Sequence, residues 1–388
     1  MYFEQMPMID NEQVKDALDI ACRQIIRNIP AFTHKFPNAY SENGFYKPIE
    51  NNYWTTGFWT GEIWLAWEYT ADPRLKAAGE VQIDSFLQRI EKKINVDHHD
   101  MGFLYSPSCV AGYKLIGSRK GRTAAIAAAN QLMSRFRPVG GFLQAWGGMD
   151  SLADYRLIID CLLNVPLLYW AAGETGDDRY RQVAQTHVHT ALANVVRSDG
   201  STWHTFYFDS RTGHPDHGAT CQGYQDGSAW ARGQAWAIYG TALAYRYTRE
   251  PSYRHVFDFV TSYYLQHLPK DMVPFWDLMF TDGDNQPRDS SSASIAACGL
   301  LEMARCVEDA SIQQQYIKLA RQMIRVLYDM YAVRNAYFSN GLVLHGTYSN
   351  RSPYNTCDHC GVDECNIWGD YFYLEALTRL AGPWEPYW

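Results

Sequence analysis

The sequence has few of the features that assign a protein to membranes or to nucleic acids. In its 388 residues no apolar run is long enough to span a bilayer. The N-terminal residues lack the basic start and the apolar stretch of a signal peptide. Lys and Arg form no dense cluster, and the formal net charge is −8. We therefore expect a cytoplasmic protein with no membrane and no nucleic-acid partner.

Motifs for nucleophilic or nucleotide-dependent chemistry are missing as well. The sequence contains no Gly-x-Ser-x-Gly, no Gly-x-x-x-x-Gly-Lys and no dinucleotide fingerprint after a strand. The serine-rich stretch 290–294 follows Asp289, which is typical of a helix start capped by an Asp side chain. The sequence therefore gives no support to a serine nucleophile or to a phosphate-binding loop.

Cysteine usage indicates a reduced protein, because the nine cysteines are an odd number and six of them are dispersed. A zinc site near the C terminus would need a fourth ligand, and no His-Glu-x-x-His motif is present. We expect no metal. The residues that could in principle supply ligands are Cys357, His359, Cys360, Cys365, His98, His99, His214 and His217.

Aromatic residues, in contrast, are abundant: 13 Trp, 27 Tyr and 17 Phe make up 15% of the chain. Hydrophobic residues reach 47%, which is enough to bury a large core and excludes disorder by composition. Flat rings with polar edges can fill that core or line a groove for sugars. We expect both.

The spacing of apolar residues predicts a chain made almost entirely of helices. Short junctions recur at 68–75, 115–120, 173–180, 246–253 and 306–312, each with an acidic or hydroxyl residue that can cap the next helix. Longer connections, rich in Gly and aromatic residues, alternate with these junctions. The predicted helices start near residues 12, 54, 73, 104, 118, 155, 177, 229, 251, 290, 311 and 367.

This alternation of short and long connections predicts an all-α fold, an (α/α)6 barrel of six helical hairpins, with its pocket on the rim of the long connections. An open α-solenoid is the alternative, but it would have more uniform repeats and polar end caps. No linker divides the chain, so residues 1–388 are expected to form one domain. Two short alternating stretches, 203–208 and 337–344, could form small hairpins.

Asp160 is the most informative candidate for catalysis, because it lies in a strongly apolar run predicted to be helical. A carboxyl there is costly unless it is paired, protonated or used. Burial would raise its pKa toward the range of a general acid at neutral pH. The alternative is a structural Asp that caps a loop or bonds to a Trp or Tyr.

Three other clusters are candidates for the walls of a pocket. Trp54 and Phe58 are four residues apart and share a helix face with small glycines, which also suits a close helix contact. Asp100 ends a polar run and could be a second carboxylate near Asp160. Arg232 lies between two Trp residues and suits a ligand carboxylate, although a structural salt bridge with Asp226 is the alternative.

Together these segments resemble the unsaturated glucuronyl hydrolases, glycoside hydrolase family 88. The similar motifs are Trp54-Thr-Thr-Gly-Phe-Trp-Thr-Gly, His99-Asp100, Ile159-Asp160-x-x-x-Asn164-x-Pro, Trp230-Ala-Arg232-Gly-Gln-Ala-Trp236, Arg288-Asp-Ser-Ser and Trp368-Gly-Asp370-Tyr-Phe-Tyr-Leu-Glu-Ala. The resemblance runs from about residue 12 to the C terminus. It implies an (α/α)6 barrel without a cofactor that hydrates the C4=C5 bond of an unsaturated uronic acid.

The resemblance also implies roles for individual residues. Asp160 would donate a proton to C4 and help to activate water at C5, and Asp100 would raise the pKa of Asp160 and orient the substrate. The substrates would be lyase-generated oligosaccharides with an unsaturated uronic acid at the non-reducing end. Residues implied to surround the substrate are Trp54, Phe58, His99, Trp146, His204, Gln222, Arg232 and Trp236.

Specificity is the least determined part of the resemblance. Some members that prefer sulfated fragments carry Ser-x-x-Ser-x-Lys, where this sequence has Ser349, Ser352 and then Tyr354 in place of Lys. Rival interpretations are an unsaturated rhamnogalacturonyl hydrolase, an epimerase-like barrel with paired His residues, and a non-catalytic sugar-binding barrel. We expect a monomer or a weak homo-oligomer.

Overall fold

The computed structural model describes residue 3 and residues 5–388, and helices dominate this part of the chain. Two π-helical segments interrupt the pattern, Ser106–Val110 after α4 and Leu327–Tyr331 after α13. The helices are α1 (Asn11–Phe32), α2 (Thr56–Thr70), α3 (Pro73–Glu91), α4 (Met101–Tyr105), α5 (Ala111–Ile116), α6 (Arg119–Met133), α7 (Cys161–Asn164), α8 (Pro166–Thr175), α9 (Asp178–Val195), α10 (Ala231–Thr248), α11 (Pro251–Gln266), α12 (Ser290–Cys306), α13 (Ala310–Val326) and α14 (Ile367–Ala381).

The helices form two concentric rings. In the inner ring α2, α4, α7, α10, α12 and α14 contact one another in a closed circle, because α14 packs against α2. The outer ring consists of α1, α3, α6, α9, α11 and α13, each packed against its inner partner or its neighbours. Inner helices are buried on all sides, whereas the outer helix α13 buries one face. The predicted (α/α)6 barrel is confirmed, and the closed ring rules out the open solenoid.

The five short junctions are capped as predicted. The side chains of Asp72, Ser118, Asp177, Glu250 and Asp309 each accept a hydrogen bond from a backbone N–H in the first turn of the next helix. These junctions share one rim of the barrel. The sixth hairpin consists of the two terminal helices, α14 and α1, which pack against each other.

The opposite rim carries the long connections and short antiparallel strands. β5 pairs with β6, and β6 pairs with β7, in a three-stranded sheet, while the other strands form two-stranded ribbons. The strands are β1 (Phe36–Glu42), β2 (Phe45–Ile49), β3 (Phe136–Arg137), β4 (Phe142–Leu143), β5 (Arg156–Ile158), β6 (Thr205–Phe208), β7 (Pro215–Ala219), β8 (Gly346–Ser349) and β9 (Cys360–Glu364).

Two expectations for this rim are wrong in detail. The helix expected to start near residue 155 is the strand Arg156–Ile158, because it pairs with Thr205–Phe208 of a distant loop, and only residue 161 begins a helix. The hairpin expected at 337–344 is absent: that stretch consists of turns with one bridge from Val343 to Ala332. The hairpin expected at 203–208 is present as β6 and β7. Among the described residues, no helix combines the length and the apolar character that crossing a membrane requires.

Candidate active site

A pocket of about 530 Å³ opens on the rim of the strands and long connections. Its volume is in the range of small-molecule sites. Residues from β5, from the loop after β7 and from β8 meet there, although these segments are far apart in sequence. The predicted site residues that line it are Trp54, Asp100, Trp146, Asp160, His204, Gln222 and Ser349.

The floor of the pocket is built where two short helices begin. Asp100 lies at the start of α4 and Asp160 at the start of α7. Asp160 therefore follows a strand and is not inside a helix, as the apolar run had suggested. The two helices pack backbone to backbone at Gly102, where an added Cβ would lie 2.3 Å from Cα of Asn164.

Asn164 connects the two carboxyls. Its amide nitrogen donates to Oδ1 of Asp100 and to the backbone carbonyl of Asp160, both at 3.2 Å, and its Oδ1 accepts from the backbone N–H of Phe103 at 2.8 Å. One buried amide thus fixes the position of both acidic residues. The resemblance included this Asn only as a motif letter and gave it no role.

Two histidines surround the carboxyls. Nε2 of His99 lies 3.3 Å from Oδ1 of Asp100 and 3.3 Å from Oδ1 of Asp160. His98 lies on the other side, with Nδ1 at 3.3 Å from Oδ2 of Asp100, and its ring stacks on Trp146 with centroids 4.2 Å apart. Asp160 is 17% exposed, while His99 and Asp100 are 1% and 2% exposed. Both carboxyls line the pocket, and Asp160 is the more exposed of the two.

The electrostatic surroundings shift the pKa values of the two carboxyls in opposite directions. Burial, and then the negative charge of Asp100, raise the pKa of Asp160 well above its usual value, against a smaller lowering by Arg232. Burial also opposes ionisation of Asp100, but His99, His98 and Asn164 bring its pKa below the usual value. Burial lowers the pKa of His99 to about 4, so its ring is neutral at neutral pH. The two pKa values are shifted in opposite directions, so Asp160 keeps its proton to higher pH than Asp100 does, which suits a general acid beside a fixed charge.

His204 and Gln222 form the adjoining wall. The backbone N–H groups of Cys221 and Gln222 both donate to Nδ1 of His204, at 3.0 and 3.2 Å. Burial lowers the pKa of His204 to about 3, so the neutral ring carries its proton on Nε2. The side-chain nitrogen of Gln222 donates to the carbonyl of Tyr348. Each of these residues is left with one polar atom for a ligand.

Arg232 does not line the pocket. It is 1% exposed, and its Nη1 donates to Oδ2 of Asp289 at 2.9 Å and to the carbonyl of Thr347, while Nη2 donates to the carbonyl of Tyr348. The structural alternative is therefore correct in kind, with Asp289 and not Asp226 as the partner. Arg232 holds β8 in place behind the pocket.

Phe58 and Trp236 lie below the pocket and are fully buried in the inner ring. The ring of Phe58 packs against Trp54, and both buried rings contact Phe103. A direct contact with a ligand, which the resemblance implied, is not supported by this placement. Phe58 supports Trp54 directly and Trp236 supports it through Phe103, and Trp54 does face the pocket.

The late connection forms part of the opposite wall. Ser349 lines the pocket, and its hydroxyl donates to the carbonyl of Asp358 at 2.6 Å. Ser352 donates to the carbonyl of Tyr224 and accepts from the N–H of Tyr354, and the Tyr354 side chain is 62% exposed. Both serine hydroxyls are thus used within the protein.

Several pocket residues had not been predicted. Arg156 and Tyr348 are the most important, and Tyr348 accepts a hydrogen bond from Nε1 of Trp54 at 3.2 Å. The length and the aromatic content of the connections were the signals that could have found them. The other unpredicted residues are Tyr53, Asn95, Ile158, Cys221, Thr356, Cys357, Asp358 and Cys360.

Possible metal ligands come together at one place in the described part of the chain. His99, Asp100 and Asp160 each offer a donor atom within 4.8 Å of the others. The cysteines near the C terminus do not form such a group there, and all nine cysteines are unpaired. A carboxyl that keeps its proton is a poor ligand, so we keep the expectation of no metal as a prediction.

Known proteins are similar to this chain in both sequence and architecture. The family model described as Glycosyl Hydrolase Family 88 matches residues 28–371. The unsaturated chondroitin disaccharide hydrolase of Streptococcus pyogenes serotype M1 is 46% identical over 387 residues, which are 100% of this chain and 96% of that protein.

Solved structures agree. The crystal structure of unsaturated glucuronyl hydrolase from Streptococcus agalactiae has a TM-score of 0.96 at 46% identity, covering 100% of this chain and 96% of that one. A mutant of the S. agalactiae enzyme complexed with dGlcA-GalNAc6S has a TM-score of 0.88 at 43% identity, with the same coverage. The chain belongs to glycoside hydrolase family 88, the family of the unsaturated glucuronyl hydrolases.

Proposed function

We propose that this protein removes the unsaturated glucuronic acid from the non-reducing end of lyase-generated glycosaminoglycan oligosaccharides by hydrating its C4=C5 bond. The observation that carries the proposal is the buried pair of Asp160 and Asp100. Burial and the neighbouring charge raise the pKa of Asp160 well above its usual value, and Asp160 is the more exposed member of the pair in the pocket. A protonated carboxyl in that position can donate to a carbon of an enol ether.

In this mechanism Asp160 transfers its proton to C4, and a water oxygen bonds to C5. The carboxylate that results accepts a proton from that water, so Asp160 regains its starting state. The product is a hemiketal at C5, which opens and expels the remaining sugar from C1 as an alcohol. One water is consumed for each bond broken, and no displacement at the anomeric carbon is needed, unlike the two-carboxylate glycosidase schemes.

The residues around Asp160 are suited to hold the unsaturated ring. Nε2–H of His204 and the side-chain oxygen of Gln222 are free to bond to hydroxyl groups, because their other polar atoms are held by backbone groups. The half-buried rings of Trp54 and Trp146 offer flat faces to the sugar. We propose substrate contacts for these four residues, and supporting roles for His99, Phe58, Arg232 and Trp236.

For the substrate class, we propose unsaturated disaccharides of the chondroitin and hyaluronan type. The S. pyogenes relative is named for unsaturated chondroitin disaccharides, and the mutant S. agalactiae enzyme is complexed with dGlcA-GalNAc6S. In this chain Tyr354 replaces the Lys of the Ser-x-x-Ser-x-Lys pattern. The hydroxyls of Ser349 and Ser352 already bond to backbone carbonyls. A sulfate is therefore not required for recognition in this proposal.

We further propose that residues 1–388 act as a single catalytic domain without a cofactor, in the cytoplasm, as a monomer or weak homo-oligomer. The nine unpaired cysteines support a reducing compartment. Sedimentation of the purified protein over a range of concentrations tests the oligomeric state.

The test of the proposed function is an ultraviolet assay of the C4=C5 bond. The purified protein is incubated with unsaturated disaccharides from chondroitin, hyaluronan, heparin and pectin lyases. We expect loss of absorbance with the chondroitin and hyaluronan substrates. Activity confined to the pectin fragment would support the rhamnogalacturonyl alternative, and binding without loss of absorbance would support a sugar-binding barrel.

A further inference from the structure

The proposed substrate is an anion, but the pocket floor is acidic. Asp100 is ionised, Asp160 lies beside it, and Asp358 lines the mouth. A uronate carboxylate that enters this space is repelled unless a cation meets it. The arginine expected to do so, Arg232, is buried behind the wall and neutralised by Asp289.

Arg156 is the one Lys or Arg side chain among the described residues that line the pocket. It is the first residue of β5, four positions before Asp160. It lines the same pocket as Asp160 and His204, and its positive charge adds to the effect of burial in lowering the pKa of His204 and of His99.

The guanidinium of Arg156 is held in place by an aromatic ring, but no carboxylate of the described residues neutralises its charge. It lies over the ring of Tyr207, with Cζ 5.6 Å from the centroid, and makes no salt bridge with any carboxylate in the described part of the chain. Its Nε is buried and has no hydrogen-bond partner in the structure. Nη1 and Nη2 also have no acceptor among the described residues, and unlike Nε they are not closed off, so these two nitrogens can donate to a ligand carboxylate.

Other arginines on this rim differ. Arg137, for example, also lies over a tyrosine ring, with Cζ 5.2 Å from the centroid of Tyr155, but it donates to the side chain of Gln144 and to the carbonyl of Met149. Arg135 is fully buried and bonds to Asp97 and two backbone carbonyls. The free guanidinium in the pocket is thus a distinctive feature of Arg156.

We infer that Arg156 binds the carboxylate of the unsaturated uronic acid and so selects for anionic substrates. The inference rests on the proposed function. The planar guanidinium pairs with a carboxylate through two N–H groups, which orients the ring as well as attracting it. With its carboxylate held at β5, the ring lies next to Asp160 on the adjoining turn.

The test compares Arg156→Gln, Arg156→Lys and a matched control, Arg211→Gln. Arg211 is exposed in the turn between β6 and β7, so its variant removes one charge from the same sheet without touching the pocket. The probes are the unsaturated hyaluronan disaccharide, the methyl ester of its uronate, and the 6-sulfated unsaturated chondroitin disaccharide. Steady-state kinetics gives KM and kcat for each pair.

We expect Arg156→Gln to raise KM for the hyaluronan disaccharide by roughly 10- to 100-fold with little change in kcat, as expected for loss of uniform binding. Arg156→Lys recovers part of the affinity, because charge returns without the paired geometry. Esterification of the uronate raises KM for the wild type but does not raise KM further for Arg156→Gln. Arg211→Gln behaves as the wild type does.

The inference is overturned if Arg156→Gln keeps the wild-type KM, or if the ester penalty is unchanged in that variant. It is also overturned if the KM effect occurs only with the sulfated disaccharide, since the sulfate would then be the ligand. A wild-type protein that hydrates none of the disaccharides contradicts the proposed function. In that case, binding of the disaccharide and its ester to wild type and Arg156→Gln, measured by calorimetry, tests Arg156 alone.

Discussion

Buried carboxyls occur at both ends of the barrel, and the two ends treat them in opposite ways. At the rim of the short junctions, Glu302 is 1% exposed and accepts from Arg246 at 2.9 Å and from Arg379 at 2.7 Å. Glu375 accepts from Arg379, from Nε1 of Trp388 and from the hydroxyl of Tyr239. At the pocket rim, Asp100 and Asp160 lie against two histidines and an amide, and among the described residues no arginine bonds to them.

The difference is visible in the pKa values. Burial opposes ionisation of Glu302, but Arg379 and Arg246 lower its pKa below the usual value. Burial and Asp100 raise the pKa of Asp160 well above the usual value. A buried carboxylate with cations holds helices together, whereas one without them keeps a proton that can be donated. The same residue type therefore serves the fold at one end and chemistry at the other.

The largest effect is expected for Asp160→Asn, which removes the proposed proton donor and keeps the shape. We expect kcat to fall by roughly 10³- to 10⁴-fold in the ultraviolet assay, while substrate binding measured by calorimetry stays close to wild type. Asp370→Asn is the matched control, because burial also raises the pKa of Asp370, to about 7, but Asp370 does not line the pocket, so its variant should keep the wild-type kcat. Retained turnover in Asp160→Asn would reject the acid role.

The stability of Asp160→Asn sharpens the comparison. The folded protein keeps a proton on Asp160 that the unfolded chain releases above about its ordinary pKa of 3.8. Wild-type stability associated with this group is therefore complete at low pH and is lost as pH rises toward the raised pKa. We expect the variant to be at least as stable as wild type at neutral pH in urea unfolding. A clear destabilisation would mean that Asp160 is a structural residue.

At the rim of the short junctions, removing the charge of a buried carboxyl should lower the stability of the protein. Glu302→Gln leaves Arg379 and Arg246 without their shared carboxylate, and we expect a loss of about 3–5 kcal/mol in the free energy of unfolding at neutral pH. Because the pKa of Glu302 is lowered, its contribution is present above about the ordinary value of 4.5 and is lost as pH falls through the folded pKa. Urea titrations at several pH values measure this.

Glu385→Gln is the matched control for Glu302→Gln. Glu385 also bonds to Arg246, but it is 66% exposed, so its loss is expected to cost less than about 1 kcal/mol. Equal effects of the two substitutions would show that burial does not distinguish the pairs. The pocket and its activity should be unchanged in both variants once they are folded.

How far the sequence predicts these two regions depends on the range of the interactions. The ring of hairpins and the pocket rim follow from local signals, namely apolar spacing and capped junctions such as Asp72 before Pro73. The carboxyl pair follows from the motifs of the resemblance. The partner of Arg232 does not, because Asp289 and the carbonyl of Thr347 are 57 and 115 residues away. The strand at Arg156 and its free guanidinium depend equally on a distant loop.

A smaller effect is expected for Asp100→Asn, which removes the charge but keeps an oxygen that can accept from the side chain of Asn164. Burial remains the main cause of the raised pKa of Asp160, and the contribution of Asp100 is lost. Asp160 then gives up its proton at lower pH, so the alkaline fall in kcat should move to lower pH, with kcat reduced on the order of 10²-fold. The pH profile of kcat measures both.

Asp97→Asn is the control for that profile. Asp97 lies three residues before Asp100, but its side chain is 68% exposed and pairs with Arg135. Its removal should leave the alkaline limb in place. If Asp100→Asn leaves the limb where it is in the wild type, the two carboxyls are not coupled and burial alone sets the pKa of Asp160.

Exhaustive chelation is expected to have no effect. This experiment tests whether a metal ion takes the role at the pocket rim that arginines have at the other rim. His99, Asp100 and Asp160 could each offer a donor atom within 4.8 Å. A bound cation would favour ionisation of both carboxyls and invert the pKa argument. We expect turnover after dialysis against EDTA to equal that of the untreated enzyme, with no gain from added Zn²⁺ or Mn²⁺. Loss of activity that a metal restores would mean that carboxylates are neutralised at both ends of the barrel, by arginine at one end and by a metal ion at the other. Asp160 would then be a metal ligand and not the proton donor.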